Sequence, residues 1–447
     1  MIGYVFYFIY FALSFYVLVP FICKGKYIHL SMLPLLFFPH FNTTCFLKLG
    51  LTFSFFEIYL FVFSFLILLT GFSLKNVFRL NISGKIFGLF LIISILSILI
   101  AQFRIELGDL KPSTFYKESP VVRSFMSLNR LFVYPVLLSY IRSFYIRKNV
   151  DIPFYFKKYL AYSGIIPSIA VILQACGIEC LLLFNNPSFS EGVEWKSPGR
   201  PFGLSYEASF YAFMCLFSFV GVYYAVRDNV ISAFKGYVLY VLYAVGVLLC
   251  ISRTGMLVFI CFICLKNCSK LNFKRVVFVL LIIGLLSQIN WMGFNMMDRL
   301  VSSFDFEADR STVERWGSAE GLLNLAIHKS LFLGVGIYNY FYYVMPYIPS
   351  EMYHLMNYSN SDKVVSFNFV LQLWAEWGGI LFLFFFSFVF YKLYRIRKDG
   401  VMTDWFLYFF IISLSVQLMN FSLPFLILLY HSNYNASSLE ENFKLRN

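Results

Sequence analysis

Residues 86–101 read IFGLFLIISILSILIA, an apolar run without a charged side chain. An α-helix rises 1.5 Å per residue, so about 20 apolar residues cross the roughly 30 Å hydrocarbon core of a bilayer. Similar runs recur along the chain. Hydrophobic residues make up 60% of the sequence and charged residues only 13%, about half of the charged share of a soluble domain. The sequence therefore predicts an all-α, polytopic integral membrane protein.

The apolar runs predict about eleven or twelve transmembrane helices in a single membrane domain that covers residues 1–447. The segment 27–47 is a loop, an interfacial helix or a further span, and 403–430 contains Pro424 and is one tilted helix or a hairpin. The predicted helices are 2–23, 52–73, 85–102, 124–141, 159–184, 205–226, 234–251, 254–268, 275–293, 366–391 and 403–430.

Lysine and arginine cluster in the short loops between predicted helices, which gives an orientation. The formal net charge is +13. The basic residues lie in short clusters between apolar runs, which argues against a surface that binds nucleic acid. Only Asp151 and Asp228 accompany the bases in these loops, so the positive-inside rule predicts that they are cytoplasmic. The basic loops are 74–85, 142–158, 227–235, 266–275 and 392–398, and the alternating loops 103–123, 185–204 and 294–365 then face outward.

The first polar motif is the turn PGRPFG at residues 198–203, which leads into a helix with Glu207 about one turn inside. Arginine stays charged and offers a planar fork of donors that suits phosphate or pyrophosphate. A carboxylate in an apolar helix is costly unless it is paired or used. Arg200 and Glu207 are therefore candidate catalytic residues, and a structural clamp between the two is the alternative.

The second motif is the sequence CISRTG at residues 250–255, between two apolar helices. The turn is so short that Arg253 is expected at or just inside the outer membrane interface. Tyrosine and tryptophan are abundant in this chain and are less costly interfacial anchors. Arg253 is therefore a second candidate catalytic cation, and a simple interfacial anchor is the alternative.

The third motif lies in the outer loop 294–365, where an amphipathic helix from 314 to 327 and a turn at 334–336 are predicted. Arg310 and Arg315 flank one face of this helix and are candidate substrate-binding cations, or members of solvated ion pairs. Histidine side chains in general change charge near neutral pH, which makes His328 a candidate general base. A structural histidine is the alternative.

The fourth motif opens the tenth predicted helix with Asn368, Gln372 and Glu376. Their spacing of four residues predicts that they share one helix face. Polar side chains in such a helix normally face the bundle interior or a wet cavity. The three are candidate substrate-binding residues, with helix–helix hydrogen bonding as the alternative.

Several kinds of catalytic motif are missing from the sequence. It holds no Walker A loop, no HExxH, no GxSxG and no Asp-x-Asp pair, which disfavours an ATP-driven pump or a transferase that uses nucleotide sugars and a metal. The nine cysteines mostly fall in apolar runs and fit buried apolar positions. We expect neither a metal site nor a cofactor.

In this order, the four motifs resemble the O-antigen polymerase and O-antigen ligase superfamily of bacterial envelopes. The resemblance covers about residues 198–381, and the first 150 residues match in hydropathy alone. The matching pieces are Arg200-x-x-Gly203 with Glu207, then Ser252-Arg253-Thr254-Gly255, then Arg310, Arg315-Trp316, His328 and Gly334-Val335-Gly336, then Asn368 with Ala375-Glu376-x-Gly378.

The resemblance implies a GT-C-like helical fold and a metal-independent glycosyltransfer at the outer face of the inner membrane. Both substrates would be undecaprenyl-pyrophosphate-linked oligosaccharides used in lipopolysaccharide or related polysaccharide synthesis, with a flippase and a chain-length regulator as further partners. Fixed cations would stabilise the pyrophosphate leaving group, a role for Arg200, Arg253, Arg310 and Arg315. His328 or Glu207 would accept the proton of the acceptor hydroxyl.

One position separates the two activities of the superfamily. The ligase pattern has histidine directly before an Asn, Ser or Gln that lies ten positions before a glycine. Asn368 and Gly378 fit this spacing, but Phe367 stands where the histidine is expected. This favours the polymerase over the ligase. A lipid-linked oligosaccharide flippase is the alternative from another class, although charges such as Glu57 and Arg130 are few inside the predicted helices.

Overall fold

The computed structural model describes the chain in part. Predicted helices 2–23, 124–141, 254–268 and 403–430 lie outside the described residues apart from single positions. The described residues are mainly 46–49, 51–54, 82–111, 152–178, 201–203, 208–250, 290–291, 294–295, 310–352 and 368–396, with a few single residues elsewhere.

Contacts between residues divide the chain into two compact units. The first unit comprises Met1–Gly71 and Ile141–Leu300, and the second comprises Phe72–Tyr140 and Val301–Asn447. The first contains β1 (Phe46–Leu49), β2 (Leu51–Ser54), α2 (Ile152–Ser163), α3 (Ile165–Ala175), α4 (Ala208–Arg227), α5 (Ala233–Leu249), β3 (Asn290–Trp291) and β4 (Phe294–Asn295). The second contains α1 (Ile82–Glu106), α6 (Arg310–His328), α7 (Tyr340–Tyr343), a 3-10 turn (Met345–Tyr347), α8 (Phe369–Trp377) and α9 (Gly379–Ile396).

In the first unit, α4 packs against α2 and α5, and α5 also packs against α3. Glycines bring these helices close together. A Cβ at Gly221 would lie 2.7 Å from the Leu160 side chain, and one at Gly246 would collide with the Tyr211 hydroxyl. Small residues at helix contacts are typical of membrane bundles, because lipid supplies no hydrophobic force between helices.

In the second unit, α1 packs against α9 and α8, and α6 packs against α8 and the 3-10 turn. An aromatic cluster joins α1, α8 and α9. The ring of Phe90 lies 5.0 Å from that of Trp377 and 5.9 Å from that of Phe385, and the last two are 5.1 Å apart. The carboxyl-terminal end of α1 lies beside the chain segment that follows α6, and this segment carries the candidate site.

The predicted helix 159–184 is wrong in its extent. Proline has no N–H, so Pro167 cannot donate to the Ser163 carbonyl, and the helix is divided into α2 and α3 at Gly164. At the other end Gly177 has φ +79°, and the Ile178 N–H donates to the Leu173 carbonyl at 3.0 Å. This left-handed glycine cap ends α3 near Ala175.

The predicted helix 366–391 is also interrupted. Gly378 has φ +80° and ends α8, and α9 begins at the next residue. The first N–H groups of α9 bond to the segment after α6: Gly379 donates to the Leu331 carbonyl at 3.0 Å and Ile380 to that of Phe332 at 3.4 Å. Backbone from elsewhere in the unit therefore replaces the intrahelical bonds at this break.

Two short strand pairs lie within an otherwise helical described part, which remains consistent with the all-α prediction. Residues 52–54 belong to β2, which pairs with β1 in antiparallel register, Phe46 opposite Ser54. Thr52 and Phe53 favour strands, so the predicted helix 52–73 does not begin at 52, and the segment 27–47 ends in β1. Similarly, residues 290–291 form β3, so the predicted helix 275–293 does not reach 293. Helices make up most of the remaining described residues.

Two helical stretches in the described part of the chain are long and apolar enough to cross a membrane. They are Gly88–Glu106 and Phe154–Ala175, and the shorter apolar helices are Tyr211–Arg227, Ala233–Leu249 and Gly379–Lys392. Four predictions agree closely with the observed helices. They are 85–102 with α1, 205–226 with α4, 234–251 with α5 and 314–327 with α6.

Candidate functional site

The segment 329–348 connects α6 to the rest of the second unit and is buried along most of its length. Val335, Ile337, Asn339 and Val344 are fully buried, as is nearly all of the tyrosine-rich α7. The turn predicted at 334–336 lies slightly later: residues 334–336 are irregular backbone in which Gly336 has φ +90°, and the Asn339 N–H closes a turn on the Gly336 carbonyl at 3.2 Å. Loops normally run over a surface, so a buried irregular segment requires internal hydrogen-bond partners.

The backbone of α8 supplies the first set of partners. Val335 donates its N–H to the Ala375 carbonyl at 3.1 Å, and Gly336 donates to the Glu376 carbonyl at 2.9 Å. A Cβ at Gly334 would collide with this same Glu376 carbonyl, so glycine is required for the close approach. The structure thus brings the third and fourth sequence motifs into direct contact.

Helix α1 supplies the second set of partners. The Ile337 N–H donates to Ser97 Oγ at 3.2 Å, and a Cβ at Gly336 would lie 2.9 Å from that of Ala101. Ser97 lies nine positions from each end of the candidate span Gly88–Glu106, which is about 13 Å at 1.5 Å per residue. If α1 crosses a bilayer, segment 329–348 enters the membrane without crossing it. Irregular backbone is tolerated at that depth only where protein covers it.

Arg104 holds the beginning of this segment and was not identified from the sequence. It lies in the last turn of α1, 7% exposed, and all three guanidinium nitrogens are engaged. Nη1 donates to the carbonyls of Leu333 and, at 3.0 Å, Gly334; Nη2 donates to that of Lys329 at 2.8 Å. Nε donates to Asp109 at 2.6 Å. The sequence signal is an arginine at a helix end with an acid five residues later, a pattern that ordinary loop charges share.

Asp109 completes this ion-pair group. It accepts a hydrogen bond from Lys329 Nζ at 2.7 Å in addition to the bond from Arg104. The hydrogen bonds from Lys329 and Arg104 lower the pKa of Asp109 below its ordinary value of 3.8. Arg104 Nη2 also lies 2.6 Å from Asp109 Oδ2. The five N–H donors of Arg104 are therefore all directed to Asp109 and three carbonyls, and none is left for a substrate.

Gln372 and Glu376 are on one face of α8, as their spacing predicts, and both are fully buried. Glu376 Oε1 accepts from Gln372 Nε2 at 3.2 Å and from the Tyr340 N–H at 3.4 Å. Asn368 instead caps the amino terminus of α8, where its Oδ1 accepts from the Leu371 N–H at 3.0 Å. The burial of Gln372 and Glu376 favours a positioning role for them, and Asn368 has the geometry of a helix cap.

Helix α6 carries the other predicted residues of the second unit. Arg310 is its first residue, Arg315 is half-buried and already has an interaction partner, and His328 is its last residue and is exposed. Lys329, directly after His328, bonds Asp109. His328 therefore lies at the exposed end of α6, and the residue after it, Lys329, is held by its bond to Asp109.

Arg200, Glu207 and Arg253 lie outside the described residues, but their chain neighbours are described. Gln174 of α3 holds the turn after Arg200: its Oε1 accepts from the Phe202 N–H at 3.0 Å and the Gly203 N–H at 2.8 Å. Its Nε2 also donates to the Gly203 carbonyl at 3.1 Å. Gly203 has φ +63°, as expected of the predicted tight turn. Gln174, which the sequence did not single out, anchors this motif.

The apolar helices, two of them long enough to span a bilayer, indicate a helical membrane protein. Residues 238–386 match the family model described as O-antigen ligase, which supports membership of the chain in the O-antigen polymerase and ligase superfamily. This family implies a glycosyltransferase-like enzyme. No curated protein and no solved structure matches the chain.

The matched region contains three of the four motifs, and the turn at Arg200 precedes it. Within the described part of the chain, no group of three or more histidine, cysteine, aspartate or glutamate side chains is arranged to hold a metal.

Proposed function

We propose that this protein polymerises undecaprenyl-pyrophosphate-linked oligosaccharide repeat units into O-antigen or a related surface polysaccharide. The reaction takes place at the outer face of the bacterial inner membrane, in which the chain is a multi-pass protein. The observation that carries this proposal is the family match over residues 238–386, together with the order of the motifs inside it. The basic short loops support the orientation.

The proposed reaction transfers the growing chain from its lipid carrier to the next repeat. The hydroxyl oxygen of the acceptor attacks the anomeric carbon of the donor chain, and the bond from that carbon to the pyrophosphate oxygen breaks. The electron pair leaves with the lipid pyrophosphate, and the hydroxyl proton goes to a base. His328 and Glu207 are the proposed bases, and the exposure of His328 leaves it accessible to an acceptor.

Fixed cations stabilise the charge that develops on the pyrophosphate. We assign this role to Arg200, Arg253, Arg310 and Arg315 rather than to a metal ion. Gln174 bonds the backbone of residues 202–203. These bonds fix the turn that follows Arg200 in the chain, which supports this assignment for Arg200. Arg104 is not among these cations because its nitrogens are engaged inside the protein.

A ligase that transfers a finished polymer to its lipid acceptor is the second candidate, since the matching family model carries the description O-antigen ligase. Phe367, where the ligase pattern has histidine, favours the polymerase. A gel of surface polysaccharide from a strain that lacks the gene separates the candidates. Surface polysaccharides with different numbers of repeats form a ladder of bands on this gel. If the protein is the polymerase, the ladder is lost and a band of one repeat unit survives.

The other outcomes of this gel overturn the proposal. Loss of every band with long polymer left on the lipid carrier would identify a ligase. Loss of every band with single repeats trapped on the carrier would identify a flippase.

Arginine variants expressed in the same deletion strain test the proposed cations. We expect Arg200→Ala and Arg253→Ala to abolish the ladder, because each removes charge from the leaving-group site, while the protein stays in the membrane at the normal amount. Arg227→Ala is the matched control, since Arg227 is 44% exposed and pairs with Asp228 at 2.8 Å. Normal polymer length in the first two variants would contradict the role of these arginines.

A further inference from the structure

Glu376 is a buried carboxyl group that the proposed reaction does not use. Glu376 is 0% exposed and lies in α8. Its backbone carbonyl accepts a hydrogen bond from the Gly336 N–H. The same buried segment reaches Ser97, midway along the candidate span of α1. The carboxyl group is therefore separated from water by protein on every described side.

No described cation balances a negative charge on Glu376. Helices α1, α6, α7 and α9 all pack against α8. Arg104 directs its nitrogens to Asp109 and three carbonyls, Lys329 bonds Asp109, and His328 is exposed. The Glu376 carboxyl accepts from the Gln372 side-chain amide and the Tyr340 backbone N–H. The ionisable side chains on the elements packed against α8 and on segment 329–348 are Lys85, Arg104, Glu106, Arg310, Glu314, Arg315, Glu320, His328, Lys329, Tyr338, Tyr340, Tyr342, Tyr343, Tyr347, Tyr391, Lys392, Tyr394 and Arg395.

The polar atoms near the carboxyl group include an excess of acceptors. Glu376 Oε2, Gln372 Oε1 and Asn339 Oδ1 are buried and have no hydrogen-bond partner among the described residues. Gln372 bonds the carboxyl group directly, and Asn339 immediately precedes Tyr340, which also bonds it. An ionised carboxylate only accepts hydrogen bonds, whereas a protonated one also donates. A proton would turn one of these three acceptors into a donor for another.

We propose that Glu376 is a proton-binding site, a neutral carboxylic acid at neutral pH whose Oε2–H donates to the carbonyl oxygen of Gln372 or Asn339. An isolated carboxylate inside a protein is so costly that the group neutralises instead. The proton removes that cost and supplies the missing donor. The site goes beyond the proposed glycosyltransfer and does not depend on it.

The test is infrared spectroscopy of the purified full-length protein at neutral pH, in a detergent that contains no ester carbonyl. The spectrum of Glu376→Gln is subtracted from that of the wild-type protein. We expect the difference to contain the C=O stretch of a protonated carboxylic acid. The matched control is Glu320→Gln, on the exposed face of α6, whose difference spectrum should contain the symmetric and antisymmetric stretches of an ionised carboxylate.

A second measurement covers the stability of the variant. Glutamine has the shape of the neutral acid and can also donate and accept, so Glu376→Gln should accumulate in the membrane and unfold at the wild-type temperature. Carboxylate stretches in the Glu376→Gln difference would overturn the proposal and indicate a bound cation as the counter-charge. Failure of Glu376→Gln to accumulate, when Glu320→Gln accumulates normally, would overturn it as well.

Discussion

In the described part of the first unit, the buried polar residues other than tyrosine are all serines, whereas the second unit also buries an arginine, an asparagine, a glutamine and a glutamate. The serines of the first unit bond one another or nearby neutral groups, as Ser163 does with Ser218 at 2.8 Å and Ser168 with the Tyr211 hydroxyl at 2.9 Å. In the second unit, buried side chains satisfy irregular backbone, as Arg104 does at residues 329–334.

The difference follows from what each unit must bury. Helices satisfy their own backbone, so a bundle of helices needs only small residues and weak polar contacts at its interfaces. A buried segment such as 329–348 leaves N–H and C=O groups that only other backbone or polar side chains can satisfy. We therefore expect substitutions of polar residues to cost much more stability in the second unit than in the first.

The largest effect is expected for Arg104→Met, which keeps the length of the side chain but removes its charge and donors. Three carbonyls lose their side-chain partner and Asp109 keeps only Lys329, so we expect a loss of about 4 kcal/mol in the free energy of unfolding. Denaturant titration of the purified protein in detergent measures it. Arg227→Met in the first unit is the control, and its exposed ion pair should cost well under about 1 kcal/mol. Equal losses would remove the distinction between the units.

The second effect concerns two glycines of the second unit. Gly334→Ala places a methyl group against the Glu376 carbonyl and 2.5 Å from the carbonyl carbon of Trp377. Backbone must move to relieve this contact, so we expect a loss of about 3 kcal/mol. Gly88→Ala in α1 is the control, because its Cβ has open space around it and alanine is the better helix former by about 1 kcal/mol. A stable Gly334→Ala would contradict the observed approach of segment 329–348 to α8.

The third effect belongs to the first unit and tests its close helix packing. Gly246→Ala is expected to cost about 2 kcal/mol, because the new methyl group meets the hydroxyl of Tyr211. Tyr211→Phe removes that hydroxyl and should recover about 1 kcal/mol of the loss when the two changes are combined. Unfolding of both single variants and the double variant gives the coupling. Strict additivity would show that these side chains do not meet.

The smallest effect is a pH dependence that originates at Asp109. The hydrogen bonds from Lys329 and Arg104 lower its folded-state pKa below 3.8, so its contribution to stability is present above that value and is lost as the pH falls through the folded-state pKa. The wild-type melting temperature should therefore fall more between neutral pH and about pH 3 than that of Asp109→Asn. The difference should be small, since Asp109 is 45% exposed. Parallel curves would exclude Asp109 as the source.

The sequence predicted those parts of the fold that depend on hydrophobic periodicity. The apolar runs located α1, α4 and α5, and the amphipathic pattern located α6. The periodicity did not show the breaks, because Pro167 and Gly378 lie inside patterns that remain apolar on both sides. The glycines at 378 and 379 were the available signal for the break between α8 and α9.

The site was predicted less completely, because its contacts join residues that are distant in sequence. The spacing of Gln372 and Glu376 correctly predicted a shared face, since helix geometry alone decides it. No local pattern shows that Arg104 reaches the carbonyls of residues 329–334 or that Gln174 holds the turn at 202–203. The roles of Arg200, Glu207 and Arg253 stay predictions.

Reconstitution of the purified protein in liposomes tests the proposed activity most directly. The liposomes contain undecaprenyl-pyrophosphate-linked repeat units, no other protein and a metal chelator. Polymerisation predicts saccharide chains longer than one repeat on the carrier and release of free undecaprenyl pyrophosphate. Repeat units that stay single, or that only change membrane leaflet, would contradict the proposal that this protein is a metal-independent polysaccharide polymerase.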